Sequence, residues 1–171
     1  MKMNRKLVFL IGFMGSGKST IGKRMAKQLN YQFIDTDQYI EKMEGKTIAQ
    51  LFEEIGESGF RKREMAVLND LESLETNHVI ATGGGMPCSQ ARLDKMLEMG
   101  TVIYLEIDAK SVLQRVSQGK NGRPILSGLT PSAMDAKIRE LMKKRLPYYE
   151  QANLTISSLD AKKIDFNTLL N

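Results

Sequence analysis

The run Gly12-Phe-Met-Gly15-Ser-Gly17-Lys18-Ser19 fits the spacing G-x-x-x-x-G-K-[ST]. Its surroundings also fit: the apolar run Leu7 to Ile11 precedes it, and Ile21, Met25 and Leu29 follow at helical spacing. Glycines let such a backbone curl so that successive N–H groups point inward at phosphate oxygens. A helix opening near Lys18 adds the positive end of its dipole. Lys18 can reach the outer phosphates of a nucleoside triphosphate, and the Ser19 hydroxyl can ligate Mg²⁺. The loop suits a GTPase, an ATPase or a kinase equally, so whatever receives the phosphate must be read elsewhere.

Three other places carry suitable chemistry. Asp35-Thr36-Asp37 follows the apolar pair Phe33-Ile34. Two carboxylates at a strand end can divide labour, one supporting a metal and the other accepting a hydrogen bond from a substrate hydroxyl. Asp37 also suits a plain helix cap ahead of Gln38. Gly83-Gly84-Gly85 is poor in any regular element and makes sense where a ligand lies against bare backbone; a flexible turn is the simpler alternative. Arg61, Arg123 and Arg145 have the planar fork that binds carboxylate or phosphate through two oxygens, although most arginines merely lie on a surface.

The elements that must position these residues alternate. Strands are expected at Leu7 to Ile11, at Phe33-Ile34 ending at Asp35, and at His78 to Thr82, Thr101 to Glu106 and Leu154 to Ser157. Helices are expected from Lys18 to Leu29, from a capping box at Thr47 towards Gly56, and from about Gly59 to Leu74. Further helices should follow Ser89, Asp108 and Thr130-Pro131, with a terminal one opening at Asp160. Such alternation argues for a parallel sheet with helices on both faces, whose ligands sit at the carboxyl ends of the strands.

Composition bounds the class. The chain has 171 residues, 42% hydrophobic and 26% charged, which fits one folded domain and excludes a disordered chain. No apolar run approaches the roughly 20 residues of a membrane helix, and Leu7 to Ile11 is too short for a signal-peptide core. Cys88 is the lone cysteine, so no internal disulfide is possible and a reducing cytoplasm is the expected home. A net charge of +5 favours anionic partners. Nucleic acid is one such partner, but basic residues are not interleaved with aromatics, and alternating signs along helix faces read as solvated surface. His78 and Cys88 belong to no metal-ligand cluster and read as structural.

Taken together these residues resemble shikimate kinases. The resemblance runs from Leu7 to about Tyr149 and rests on GSGKST (Gly15 to Thr20), FIDTD (Phe33 to Asp37), GFRKRE (Gly59 to Glu64), TGGG (Thr82 to Gly85), Arg123-Pro124 and KRLPYY (Lys144 to Tyr149). It implies a three-layer α/β/α P-loop NTPase fold, nucleoside-monophosphate-kinase-like, with a five-stranded parallel sheet in the order 2-3-1-4-5. Residues 1–171 would form a single domain, with a lid at roughly 118–130 and acceptor-binding helices at roughly 37–64.

The activity implied is ATP-dependent phosphorylation of the 3-hydroxyl of shikimate, on the route to chorismate and the aromatic amino acids, with Mg²⁺ as cofactor. Carried onto matching positions, Gly15, Ser16, Gly17, Lys18, Ser19 and Thr20 would hold ATP, with Arg115 near the adenine. Ser19 would ligate Mg²⁺ and Asp35 would support it. Asp37 would bind the shikimate hydroxyls and orient or deprotonate the attacking one. Arg61 and Arg145 would grip the carboxylate, while Gly83, Gly84 and Gly85 offer backbone to the ring hydroxyls. Arg123 would come down on the ATP phosphates, completing a catalytic set with Lys18 and Asp37. The partners implied are shikimate and ATP alone, for a cytoplasmic monomer with no nucleic-acid or membrane partner. Gluconate, also a hydroxy acid, is not excluded on chemistry alone.

Overall fold

Every side chain of Leu7–Ile11, which forms β1, is buried. A strand covered on both faces must be apolar throughout, whereas a half-exposed one alternates. In the computed structural model, which describes residues 6–118, 126 and 128–170, β1 is the centre of the molecule. It is followed by α1 (Lys18–Leu29), β2 (Gln32–Asp35), α2 (Thr36–Glu44), α3 (Ile48–Leu71), β3 (His78–Ala81) and α4 (Gln90–Met99). Then come β4 (Thr101–Glu106), α5 (Ala109–Gln118), α6 (Pro131–Tyr149), β5 (Leu154–Ser157) and α7 (Phe166–Leu170).

Among the described residues the sheet has 5 strands in the order β2-β3-β1-β4-β5. All neighbouring pairs are parallel, with Phe9 of β1 opposite Ile80 of β3 and Val102 of β4. The period of two along β1 divides the core. Leu7, Phe9 and Ile11 enter one hydrophobic cluster, with Leu68 of α3, Leu93 of α4, Val112 of α5 and Ile138 of α6. Val8 and Leu10 enter the other, with Ile21 and Met25 of α1 and Phe166 of α7. Helices therefore cover both faces, giving the expected three layers. The carboxyl ends of β1, β2 and β3 lead directly into Gly12, Thr36 and Thr82, which brings the three glycine- and aspartate-bearing segments to one edge.

Several details differ from the sequence reading. Asp35, not Asp37, caps α2: its side chain accepts from the backbone N–H groups of Asp37 and Gln38. This leaves the Asp37 side chain outside the capping role. The two helices expected on either side of Gly56 are borne out: α3 is two helical stretches meeting at a kink where Gly56 adopts φ 66°, ψ −178°. That conformation is essentially confined to glycine. The capping box at Thr47 and Gln50 is present. Ser89 precedes α4 without a side-chain cap bond. At the end of the chain, Asp160–Lys162 makes only a short 3-10 turn, and α7 starts later. Arg24 of α1 binds the carbonyls of Ala161, Lys162 and Ile164 and lies over the Phe166 ring, so this segment is held by a side chain rather than by its own helix.

Candidate active site

The phosphate loop leaves β1 through Gly12, at φ 143°. A Cβ there would lie 2.6 Å from the backbone oxygen of Leu105, so neither conformation nor space admits a side chain. Gly15 and Gly17 also have positive φ, and Gly17 opens α1. Ser16, between them, is buried. The Lys18 ammonium folds back over its own loop, donating to the carbonyls of Gly12 at 2.8 Å and Phe13 at 2.9 Å. Ser19, on the first turn of α1 beside Thr20, donates through Oγ to Asp35 Oδ2 at 2.6 Å. This hydroxyl–carboxylate pair supplies hard oxygen donors of the kind Mg²⁺ takes alongside phosphates and water. Arg115 of α5 donates to the Gly15 carbonyl at 2.6 Å and to Ser158 Oγ at 3.1 Å, so it borders the loop. Arg123 lies outside the described residues.

The acceptor side is organised around the glycine turn after β3. Each of the three glycines faces a different side chain. A Cβ on Gly83 would lie 2.6 Å from Asp37 Oδ1, one on Gly84 would lie 3.1 Å from Arg145 Nη1, and one on Gly85 would lie 2.6 Å from Arg61 Nη2. Asp37 comes from α2, Arg61 from α3 and Arg145 from α6, so elements far apart in the chain deliver one carboxylate and two guanidiniums to adjacent positions. The turn itself is fixed by hydrogen bonds. Gly83 N–H donates to Thr36 Oγ1 at 3.0 Å, and the Tyr149 hydroxyl donates to the Gly84 carbonyl at 2.6 Å. The Arg145 guanidinium stands 5.3 Å from the centre of the Phe13 ring, a cation–π contact that joins the acceptor side to the phosphate loop.

Sequence reasoning missed the residues that hold these groups. Glu64 is buried and accepts from Arg61 Nη1 with both carboxylate oxygens, each at 2.9 Å. Glu57 takes the other end of the same guanidinium at 2.9 Å. Burial disfavours the charge on Arg61, but the two glutamates outweigh it and hold its pKa above the usual value. Burial pushes the Glu64 carboxyl above the usual range, opposed by Arg61 and Arg92. Arg92 is buried, donates through Nε to the Met86 carbonyl at 2.6 Å, and stands 3.8 Å from Glu64. Glu64 was visible inside the GFRKRE motif, on the helix face that Val67 and Leu68 continue into the core. Arg92 had no local signal, because its ionic partner Glu64 lies on another helix. Tyr149 stacks on Tyr104 at 5.1 Å, and burial drives its pKa well above the ordinary tyrosine value. Burial also pushes the Cys88 thiol up, so it is not a ready nucleophile, although it borders the turn at 3.6 Å from the Gly84 carbonyl. His78 is buried with Nδ1 2.8 Å from the Thr76 carbonyl, a structural role.

The chain is similar to known proteins in sequence and in fold. A family model for shikimate kinase matches residues 14–170. The chain is 41% identical over 146 residues to the shikimate kinase of Bacteroides fragilis, covering 85% of this chain and 81% of that protein. A crystal structure of shikimate kinase from Bacteroides thetaiotaomicron superposes with TM-score 0.88 at 35% identity, covering 96% of each chain. Shikimate kinase from Acinetobacter baumannii in complex with shikimate gives 0.84 at 38% identity, over 98% of this chain and 94% of that one. A gluconokinase from Sinorhizobium meliloti gives 0.60 at 15% identity, a likeness of fold alone. With the matched family model spanning nearly all of the chain, and relatives of about 40% identity covering most of it, the protein belongs to the shikimate kinase family.

Proposed function

We propose that this protein transfers the γ-phosphoryl group of ATP to the 3-hydroxyl of shikimate, giving shikimate 3-phosphate on the route to chorismate. The observation that carries this reading is the convergence of Asp37, Arg145 and Arg61 on Gly83, Gly84 and Gly85, beside the phosphate loop. Shikimate is a carboxylate with ring hydroxyls. Arg61 and Arg145 offer two planar forks for the carboxylate. Asp37 accepts from the attacking hydroxyl and orients it. The bare backbone of the turn admits the ring where any Cβ would intrude.

Phosphoryl transfer asks for alignment and charge neutralisation more than for covalent help. On the donor side Gly15, Ser16, Gly17 and Thr20 surround the phosphates, and Lys18 exchanges its carbonyl partners for phosphate oxygens when ATP arrives. Ser19 and Asp35 would hold Mg²⁺, which would supply positive charge to neutralise the phosphates. Arg115 stands on the nucleotide side of the loop. Arg123, the expected partner of the transferring phosphoryl group, falls in the lid expected at roughly 118–130 and is carried in this reading by the family resemblance.

Both halves of the site come from one chain, which supports a monomer acting on small molecules as a single domain of residues 1–171. The free thiol of Cys88 fits a reducing cytoplasm. Among the described residues no helix is long and apolar enough to cross a membrane. A coupled ADP-release assay with shikimate, gluconate and nucleoside monophosphates tests the acceptor. Turnover with shikimate alone is expected; turnover with gluconate and none with shikimate would overturn the reading.

A further inference from the structure

We infer that Arg92 is a positioning residue for the acceptor, acting through Glu64 and the glycine turn and leaving the pocket one positive charge in excess. The inference rests on the shikimate reading above and extends it to a residue in the second layer of the pocket.

Three observations lead there. First, Arg92 is buried, at 8% exposure, on α4, an element that supplies none of the groups assigned to the substrate. A buried guanidinium is costly unless it is paired and hydrogen-bonded. Second, both of its contacts lead to the acceptor side. Its Nε donates to the carbonyl of Met86, the residue directly after the glycine turn, at 2.6 Å, and stands 3.8 Å from Glu64. Glu64 in turn holds Arg61 through both oxygens. Third, the charges do not balance without a ligand. Arg61, Arg92 and Arg145 face Asp37 and Glu64, so three cations meet two carboxylates. The remaining nearby acid, Glu57, pairs with the outer end of Arg61 at 2.9 Å but is 72% exposed, so solvent screens much of its charge. One acceptor carboxylate makes the cluster neutral.

Without Arg92, Glu64 has Arg61 as its one close cationic partner. The pocket is then neutral before the substrate arrives, and the Arg61 charge is largely spent on Glu64. Arg92 thus keeps Arg61 available to the acceptor while it fixes the exit of the turn.

The test is calorimetric titration of shikimate and of ATP into the wild type, Arg92→Met, Arg92→Lys and the double variant Arg92→Met/Glu64→Gln. Arg92→Met should weaken shikimate by about 10- to 30-fold, the scale of one charge lost at intermediate dielectric. ATP affinity should stay within about twofold, since the donor side is untouched. Arg92→Lys, which keeps the charge, should recover most of the loss. The double variant, which removes one cation and one anion together, should bind shikimate more tightly than Arg92→Met. A neutral methyl ester of shikimate should not distinguish wild type from Arg92→Met.

Equal shikimate affinity in wild type and Arg92→Met overturns the inference, as does an equal loss for ATP or a double variant weaker than Arg92→Met. If Arg92→Met does not fold, Glu64→Gln against the double variant makes the same comparison with no buried carboxylate left unpaired. The double variant should then bind shikimate about tenfold more weakly, and equal affinity overturns the role. A wild type that fails to bind shikimate overturns the acceptor assignment and this inference with it; a wild type that binds it, beside an unaffected Arg92→Met, overturns the role of Arg92 alone.

Discussion

Asp35 uses its two carboxylate oxygens for two tasks: Oδ2 accepts from Ser19 Oγ at 2.6 Å, while Oδ1 accepts from the backbone of Asp37 at 3.1 Å. The metal-side role and the helix cap therefore separate by substitution. Asp35→Asn keeps a capping oxygen and loses the charge. It should raise the Mg²⁺ concentration needed for half-maximal turnover by about tenfold or more, with little change in thermal stability. Asp35→Ala should lose about 1 kcal/mol of stability as well. A Mg²⁺ titration of Asp35→Asn indistinguishable from that of the wild type would remove Asp35 from the metal assignment.

The glycine turn predicts a split between catalysis and binding. Gly83→Ala places a methyl group against Asp37 Oδ1, and Gly85→Ala places one against the Arg61 guanidinium. In each case the displaced atom is the far end of a side chain, so folding should survive. Steady-state kinetics should show a loss dominated by kcat for Gly83→Ala and by KM for shikimate for Gly85→Ala. KM for ATP should hold in both. Parallel losses in the two variants would mean the glycines serve the fold and not the individual side chains.

Lys18 rests on the carbonyls of Gly12 and Phe13, an arrangement that any phosphate oxygen would displace. Lys18→Ala should reduce kcat by about a thousandfold, the scale of one lost transition-state donor. Circular dichroism should show an intact fold, because α1 begins from Gly17 without a side-chain cap. Near-normal turnover would show that another cation serves the β- and γ-phosphates.

Glu64 gives a pH signature. Burial raises its folded pKa above the ordinary 4.5. From that ordinary value up to the raised one, the native state holds the proton more tightly than the unfolded chain does. The contribution of Glu64 to stability is thus fully present below the ordinary value and is lost as pH rises through the folded pKa. Urea unfolding at about pH 4 and about pH 7.5 should show the wild type losing ground to Glu64→Gln as pH rises. A difference that grows in favour of the wild type at the higher pH would mean that the ion pairs with Arg61 and Arg92 outweigh burial.

Much of this site was legible because its chemistry is local. The phosphate loop is one continuous run whose glycines and lysine have one physical use together. Asp37, Arg61, Gly84 and Arg145 were found through family-like motifs, and the structure brings them to one turn. The strand order followed from the same resemblance. What escaped the sequence was long-range or conformational. Arg92 reaches Glu64 across helices, and no spacing rule links them. Asp35 took the cap from Asp37 because α2 begins at Thr36, two residues before the helix start at Gln38 that would have made Asp37 its cap. The terminal segment could not be read as a turn because its carbonyls are satisfied by Arg24, a residue on α1.

The most direct measurement is the position of the transferred phosphoryl group. Shikimate, ATP and Mg²⁺ are incubated with the protein, and the product is examined by phosphorus–proton correlation NMR. The proposed shikimate kinase activity predicts one phosphate monoester, coupled to the proton on carbon 3 of the ring. Coupling to the proton on carbon 4 or 5, or no ester at all while ADP accumulates, would contradict it.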